Sequence, residues 1–438
     1  RSELGLAGVA VLLLRAFSVG AGTYTGIEAV SNGLPVLREP RVETGKRTML
    51  LMGVSLGVTV FGLLVAYVLA GVRPEEGKTL NAVLFETVTA GWPRGLATGF
   101  VTACLVTATA LLFIAAQAGF LDGPRVLANM ALDRWMPARF ASLSDRFVAQ
   151  NGLLLMGAAA LGVVAATGGH VGLLVVLYSI NVFLTFSLTQ LGMCRLWWAE
   201  RRAGRAWRHG LAVNGVGLLV CGGILVALCV LKFFEGGWVT LLATAAVVGF
   251  AARVRRHYDG TARKLAALDA GLPAAEAAPI PLPAPGRGRP AVLLCNGYNG
   301  LGVNAFLGLF RMFPATFDRL VVVHVGTVDV GSFKGADELD RLRAATHDVA
   351  ERYAALGRRH GLAVETKTAV AVDAVVEVQR LVAEARAEYP DAVVFAGQLA
   401  FLRETAWTRL LHNYVVFALQ RAFCRAGTPF VIVPVTVA

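Results

Sequence analysis

Apolar residues fill the first part of the chain in long unbroken blocks, then give way to short alternating segments. Residues 48–72, 95–121, 147–194, 209–231 and 236–252 hold no Asp, Glu, Lys or Arg. A helix crosses the hydrocarbon core with about 20 such residues, so each block predicts a membrane span. Block 147–194 is twice too long for one crossing, and Thr167-Gly-Gly-His-Val-Gly172 supplies a turn inside it. The last block is short and is completed by its flanking residues. Ahead of these, residues 15–33 form an apolar segment that interrupts its own helix at Gly20, Gly22 and Gly26. Counting this broken segment, about six spans are expected over residues 1–253.

Past residue 253 the texture changes. Residues 254–290 read as a linker, semi-rigid over 274–290, where Pro, Ala and Gly dominate. Short β-rich runs follow at 291–295, 320–325, 363–368, 392–396 and 430–435. Helical patterns separate them at 302–313, 336–360, 372–389 and 404–425. Strands alternating with helices predict a parallel α/β sheet, so residues 291–438 are expected to form a separate domain.

Composition agrees with a membrane protein. The 438 residues are 56% hydrophobic and 16% charged, against about 25% charged in soluble domains. The net charge of +12 does not indicate nucleic acid, because the arginines cluster beside apolar spans, where they set topology. The first, third and fifth loops hold thirteen Lys and Arg, and the intervening loops hold four. That asymmetry puts the odd loops, and with them the C-terminal domain, in the cytoplasm. The six cysteines form no CxxC pair and read as reduced packing residues. The chain begins at Arg1 without a signal-peptide pattern, and further spans are expected upstream of it.

Candidate chemistry concentrates in two spans. In the broken segment, Ser18, Thr23, Tyr24 and Thr25 crowd the interruption and Glu28 follows. Freed backbone groups survive at membrane depth only where they line a protein or water-filled cavity, and broken helices are how secondary transporters build mid-membrane sites. A carboxylate there is a functional hypothesis, and burial raises its pKa toward neutral, which suits proton coupling. The alternative is a structural Glu paired to an Arg elsewhere. In the second span, Tyr178, Asn181 and Thr185 fall on one helical face. Oxygen-rich faces suit hard cations, while interhelical hydrogen bonding uses the same residue types. A site role is assigned to Tyr178, and a packing role to Thr185, Ser187 and Thr189. Residues 119–140 are expected to end a span, turn at Asp122-Gly-Pro and continue as an amphipathic cytoplasmic helix. His170 reads as a solvated turn residue, and Trp197-Trp198 as an interfacial aromatic belt.

Three motifs carry a family resemblance: the Gly-rich break with Thr-Gly-Ile-Glu-Ala at 25–29, Pro-Arg-Val-Leu-Ala-Asn-Met-Ala-Leu-Asp-Arg-Trp-Met-Pro at 124–137, and Asn-Gly at 151–152. Together they resemble the amino acid–polyamine–organocation permease superfamily, and within it the KimA-type, KUP-like potassium importers. The resemblance covers roughly residues 8–253. It implies a LeuT-like inverted-repeat fold whose N-terminal half is not included here, starting at the discontinuous sixth helix. It also implies proton-coupled potassium uptake, with K+ held at Thr25 and Tyr178, Glu28 as the acidic residue, and Ser18 and Thr23 nearby. The family's first and third helices supply its other ligands, so this half of a core is not expected to transport alone.

The C-terminal domain resembles the universal-stress-protein fold through Val323-His-Val325, Asp391-Ala-Val-Val-Phe-Ala-Gly397 and Thr428-Pro-Phe-Val-Ile-Val433. That likeness implies a homodimer through this domain and control by cyclic di-AMP. Ligands of open α/β sheets bind beyond the strand C-termini, which here brings forward Asn296, Gly297, His324 and Gly397 as nucleotide contacts. The ATP-binding members have a Gly-rich loop after the fourth strand, whereas Gln-Leu-Ala-Phe-Leu-Arg follows Gly397. This argues against ATP.

Three functions stay open at this stage. The first is a proton-coupled potassium importer of the plasma membrane, with no cofactor, no enzymatic activity and a regulatory tail. The second is an amino-acid permease whose broken helix binds a carboxylate through half-helix dipoles. The third is a membrane-anchored nucleotide sensor.

Overall fold

The computed structural model describes the chain apart from residues 1–4, 6–7, 10–11, 13–15, 17–29, 31–32, 35–36, 145–147, 203–206, 285–286, 329–335, 402–404, 413 and 438. It divides into two compact units, residues 1–123 with 155–249, and residues 124–154 with 250–438.

Helices long and apolar enough to cross a membrane dominate the first unit. They are α1 (Arg41–Leu69), α3 (Arg94–Leu132), α4 (Gln150–Thr167), α5 (Val171–Ala199), α6 (Trp207–Leu231) and α7 (Trp238–Ala270). Among the described residues all six begin at or beyond Arg41. The expected six counted the segment at 15–33, most of which lies outside the described residues. Block 147–194 folds as two helices, turning at Gly168-Gly169 as expected. A short helix, α2 (Leu80–Val88), was not expected between the charged residues of the second loop. Thr79 caps it by accepting from the Ala82 N–H at 3.2 Å, and Ala82, Val83 and Leu84 are buried.

The spans bury little. Phe61 of α1 is 70% exposed and Leu69 is 83% exposed. A helix apolar all round belongs in lipid or against other spans. The best-packed pair is α5 with α6, where Val176, Ile180 and Phe183 meet Ile224 and Leu228. Between α6 and α7 the chain kinks at Lys232–Gly237, with Gly237 buried against Ile180 of α5.

In the second unit, α3 does not turn at Asp122-Gly-Pro as expected but runs on to Leu132, with Pro124 inside the helix. Proline removes one helical hydrogen bond. Packing compensates, because Pro124 is buried against Gly152, where a Cβ would stand 3.0 Å from the Pro124 Cα. The adjacent Asn151 donates from Nδ2 to the Arg139 carbonyl at 2.9 Å. Thus the Asn-Gly pair serves this junction.

Five parallel strands form the sheet of this unit: β1 (Arg289–Cys295), β2 (Phe317–Thr327), β3 (Ala363–Ala371), β4 (Val393–Phe401) and β5 (Phe430–Val437), in the order β3-β2-β1-β4-β5. The helices between them are α9 (Gly300–Met312), α10 (Ala336–Arg359), α11 (Ala374–Glu388), α12 (Ala406–Leu411) and α13 (Tyr414–Arg425). The order reverses between β1 and β4, the switch point of a doubly wound sheet. One face is covered by Phe306 and Phe310 of α9 with Tyr353 and Leu356 of α10. The other is covered by Leu381 and Val382 of α11 with Leu419 and Phe423 of α13.

Three boundaries differ from expectation. The first is the linker: α7 runs on to Ala270, α8 (Leu272–Glu276) follows, and Leu268, Leu272, Ala275 and Ile280 pack on the sheet core. The second is β4, which extends to Phe401 because Gly397–Phe401 pair with Val433–Val437 of β5. The third is the final helix, which splits at His412, where the backbone is extended. His412 Nε2 lies 2.9 Å from His257 Nε2 of α7, and its ring packs on Phe401 and Tyr258. Tyr258 donates to the Leu411 carbonyl at 3.1 Å.

Two outcomes follow for stability. Phe306 is fully buried, so Phe306→Ala should destabilise the second unit by about 3–5 kcal/mol in denaturant unfolding. Burial, and then the neighbouring His257, push the His412 pKa down to about 4. The unfolded chain therefore takes up a proton near pH 6.5 that the folded chain refuses. Stability should fall as pH drops from about 6.5 to about 4, by up to about 1.4 kcal/mol per pH unit from this residue. In His412→Gln that slope should flatten.

Candidate functional site

Of the residues expected to form the ion site, Ser18, Thr23, Thr25 and Glu28 lie outside the described residues. Tyr178 lies in α5 and is 48% exposed. Its expected face-mates are engaged within the first unit. Asn181 donates from Nδ2 to the Leu177 carbonyl at 3.1 Å and accepts on Oδ1 from the Thr244 hydroxyl of α7 at 2.9 Å. Thr185 donates to the Asn181 carbonyl at 3.0 Å. The buried Ser179 donates to the Val175 carbonyl at 2.8 Å. Asn181 and Thr185 therefore do the interhelical and back-bonding work that polar side chains do in spans.

Further along α5, Ser187 Oγ and Gln190 Oε1 are buried with no hydrogen-bond partner among the described residues, as is Thr240 Oγ1 of α7. Gln190 lies against Gly217 of α6. Sequence reasoning passed over Gln190. The available signal was an amide three residues after Ser187 in a span otherwise poor in amides.

The second candidate region is the C-terminal edge of the sheet. Cys295 pairs with His324 in the β1–β2 register, so Asn296, Gly297 and His324 do come together. Asn296 is exposed. The Gly297 carbonyl accepts from the Tyr353 hydroxyl at 3.1 Å. His324 is buried, and its Nδ1 lies 2.8 Å from the Cys295 carbonyl. Burial lowers the His324 pKa, and the hydrogen bond to that carbonyl raises it in part. Burial also pushes the Cys295 thiol up to about 12. Both groups therefore stay neutral near pH 7. Gly397 falls inside β4, one residue past the last β1–β4 pair. A Cβ there would stand 2.8 Å from the Ala305 Cβ, so close helix–strand approach accounts for this glycine.

The N-terminus of α9, at the switch point, is occupied by the chain itself. Asp269 of α7 accepts from the Gly300 N–H at 2.6 Å. Asn299 accepts from the Gly302 N–H at 2.9 Å as the N-cap. A carboxylate at this end is favoured by the unsatisfied N–H groups and the helix dipole. Glu276 of α8 accepts from the Tyr298 hydroxyl at 2.5 Å, and Arg352 lies over the Tyr298 ring at 4.1 Å. Asp269 and Glu276, both in the stretch expected as a linker, are the residues that sequence reasoning missed at this edge.

Comparison with known proteins gives two findings. The family model described as amino acid permease matches residues 6–251. The potassium transporter KimA of Bacillus subtilis (strain 168) is 30% identical over 258 residues, which is 59% of this chain and 41% of KimA. This chain thus spans about two fifths of that relative's length. The matched residues include the broken segment, all of α1 to α6 and Tyr178. With more than half of its length matched, the chain belongs to the amino acid permease family of the amino acid–polyamine–organocation superfamily.

Proposed function

We propose that this chain is part of a secondary active transporter that takes up potassium with protons. The observation carrying the reading is the 30% identity to a potassium transporter. The family match spans both Thr25–Glu28 and Tyr178. In this reading Thr25 and Tyr178 hold the ion, Glu28 exchanges the proton, and Ser18 and Thr23 line the break. The cation is the cargo, and the protein does no covalent chemistry. The family description favours a second reading, an amino-acid permease.

The C-terminal unit is the regulatory part in this proposal. It is cytoplasmic, pairs with a second copy, and responds to a nucleotide such as cyclic di-AMP at Asn296, Gly297, His324 and Gly397. Asn296 is the exposed member of that set and the one open to direct contact. Asp269 already holds the first N–H of α9, so phosphate at that helix end has to displace it.

The natural gene product expressed in a potassium-requiring bacterial strain separates the readings. Rescue of growth at low potassium is expected. Labelled amino-acid uptake without rescue selects the permease reading, and neither activity selects a membrane-anchored sensor. Glu28→Gln should abolish the pH dependence of uptake, and pH-dependent uptake in that variant removes the proton role. Tyr178→Phe should raise the half-saturating potassium concentration roughly threefold to tenfold, as loss of one polar contact predicts. An unchanged value would remove Tyr178 from the site.

A further inference from the structure

The starting edge of the sheet, opposite the edge that carries Asn296, holds an uncompensated cluster of arginines. A pocket of about 580 Å³ lies where α13 ends and β5 begins, lined by Gln420, Arg421, Cys424, Arg425, Thr428 and Phe430. Arg386 of α11 reaches the same place, where its Nη1 donates to the Thr428 hydroxyl at 3.0 Å. Arg386 Nε is buried and has no hydrogen-bond partner among the described residues. Arg421 donates from Nε to the Phe417 carbonyl at 3.3 Å.

Several other arginines of this unit are ion-paired. Arg380 pairs with Glu377 and Glu384, Arg358 with Glu351, and Arg359 with Glu276. No such pair forms at Arg386, Arg421 or Arg425 among the described residues. No Asp or Glu follows Glu404, so the segment that carries Arg421 and Arg425 supplies no acid of its own. Arg421 and Arg425 therefore line the pocket, Arg386 meets it through Thr428, and none of the three forms an ion pair among the described residues. Planar forks of N–H donors match phosphate oxygens geometrically, and the contacts are charge-assisted. The Thr428 hydroxyl accepts from Arg386, which leaves its own hydrogen to donate. The volume falls within the range of about 300–1,000 Å³ found for small-molecule sites and exceeds what one phosphate fills.

We propose that this pocket binds a phosphate-bearing small anion, held by Arg386, Arg421 and Arg425 with Thr428. The proposal is independent of the transported substrate. The phosphate belongs either to a soluble compound or to a phospholipid headgroup.

The test uses the full chain in phosphatidylcholine nanodiscs, titrated with inorganic pyrophosphate by calorimetry. Saturable binding is expected, weakened at least about tenfold in the double variant Arg421→Gln, Arg425→Gln. Cys424 is the exposed cysteine of the six, so bound pyrophosphate should also slow its alkylation by iodoacetamide, read by mass spectrometry on the unsubstituted chain. Repeating the titration in nanodiscs containing phosphatidylglycerol identifies the source. Unchanged binding marks a soluble ligand, and joint loss of binding and of Cys424 reactivity marks a headgroup in the pocket. No binding in phosphatidylcholine, binding that leaves Cys424 unprotected, or full affinity in a double variant with an unaltered thermal melt overturns the proposal.

Discussion

Hydrocarbon offers no hydrogen-bond partner to a peptide group, and most of the first unit follows from that constraint. Long helices satisfy their own backbones, which is why the spans are continuous and why polar side chains on them turn inward or back onto the helix. Ser179, Thr185 and Thr167 all return their hydroxyls to carbonyls of their own helices. Asn181 also reaches across to another helix, through the Thr244 hydroxyl. Glu28 lies outside the described residues, and in the proposed reading its place in an apolar, glycine-rich stretch of sequence sets it against the same constraint. That conflict is the physical basis for reading a site there.

The second unit follows a different constraint. Its sheet is covered on both faces, and its strands read as apolar runs because a parallel sheet hides both sides. The same burial sets the chemistry of the polar groups that remain. His324 and Cys295 are held neutral between strands, so they act as packing and hydrogen-bonding groups. Exposed reactivity is left to the turns and helix ends.

Much of this architecture was legible in the sequence. The charge-free blocks gave the spans, Gly168-Gly169 gave the turn between two of them, and the alternation of β-rich and helical runs gave all five strands. What was not legible depended on partners far away in sequence. Pro124 stays inside a helix because Gly152 receives it. β4 outruns its apolar run because β5 pairs with the extra residues. The helix break at His412 reflects a ring met from α7. The linker read as a semi-rigid spacer from its Pro, Ala and Gly content, yet its apolar positions are the ones that pack on the sheet core. At the candidate site, Tyr178 was legible as a polar residue on an apolar span. The engagement of Asn181 by Thr244 was not, since it spans 63 residues.

The Asp269 carboxylate on the Gly300 amide has one more consequence. A charged group tethered to the same polypeptide is present at its target at an effective concentration on the order of millimolar or above. Any free anion that seeks this helix end therefore meets a competitor that dilution cannot remove. Occupancy there reports on how firmly the tail of α7 is seated, and the turn behaves as a latch rather than an open receptor.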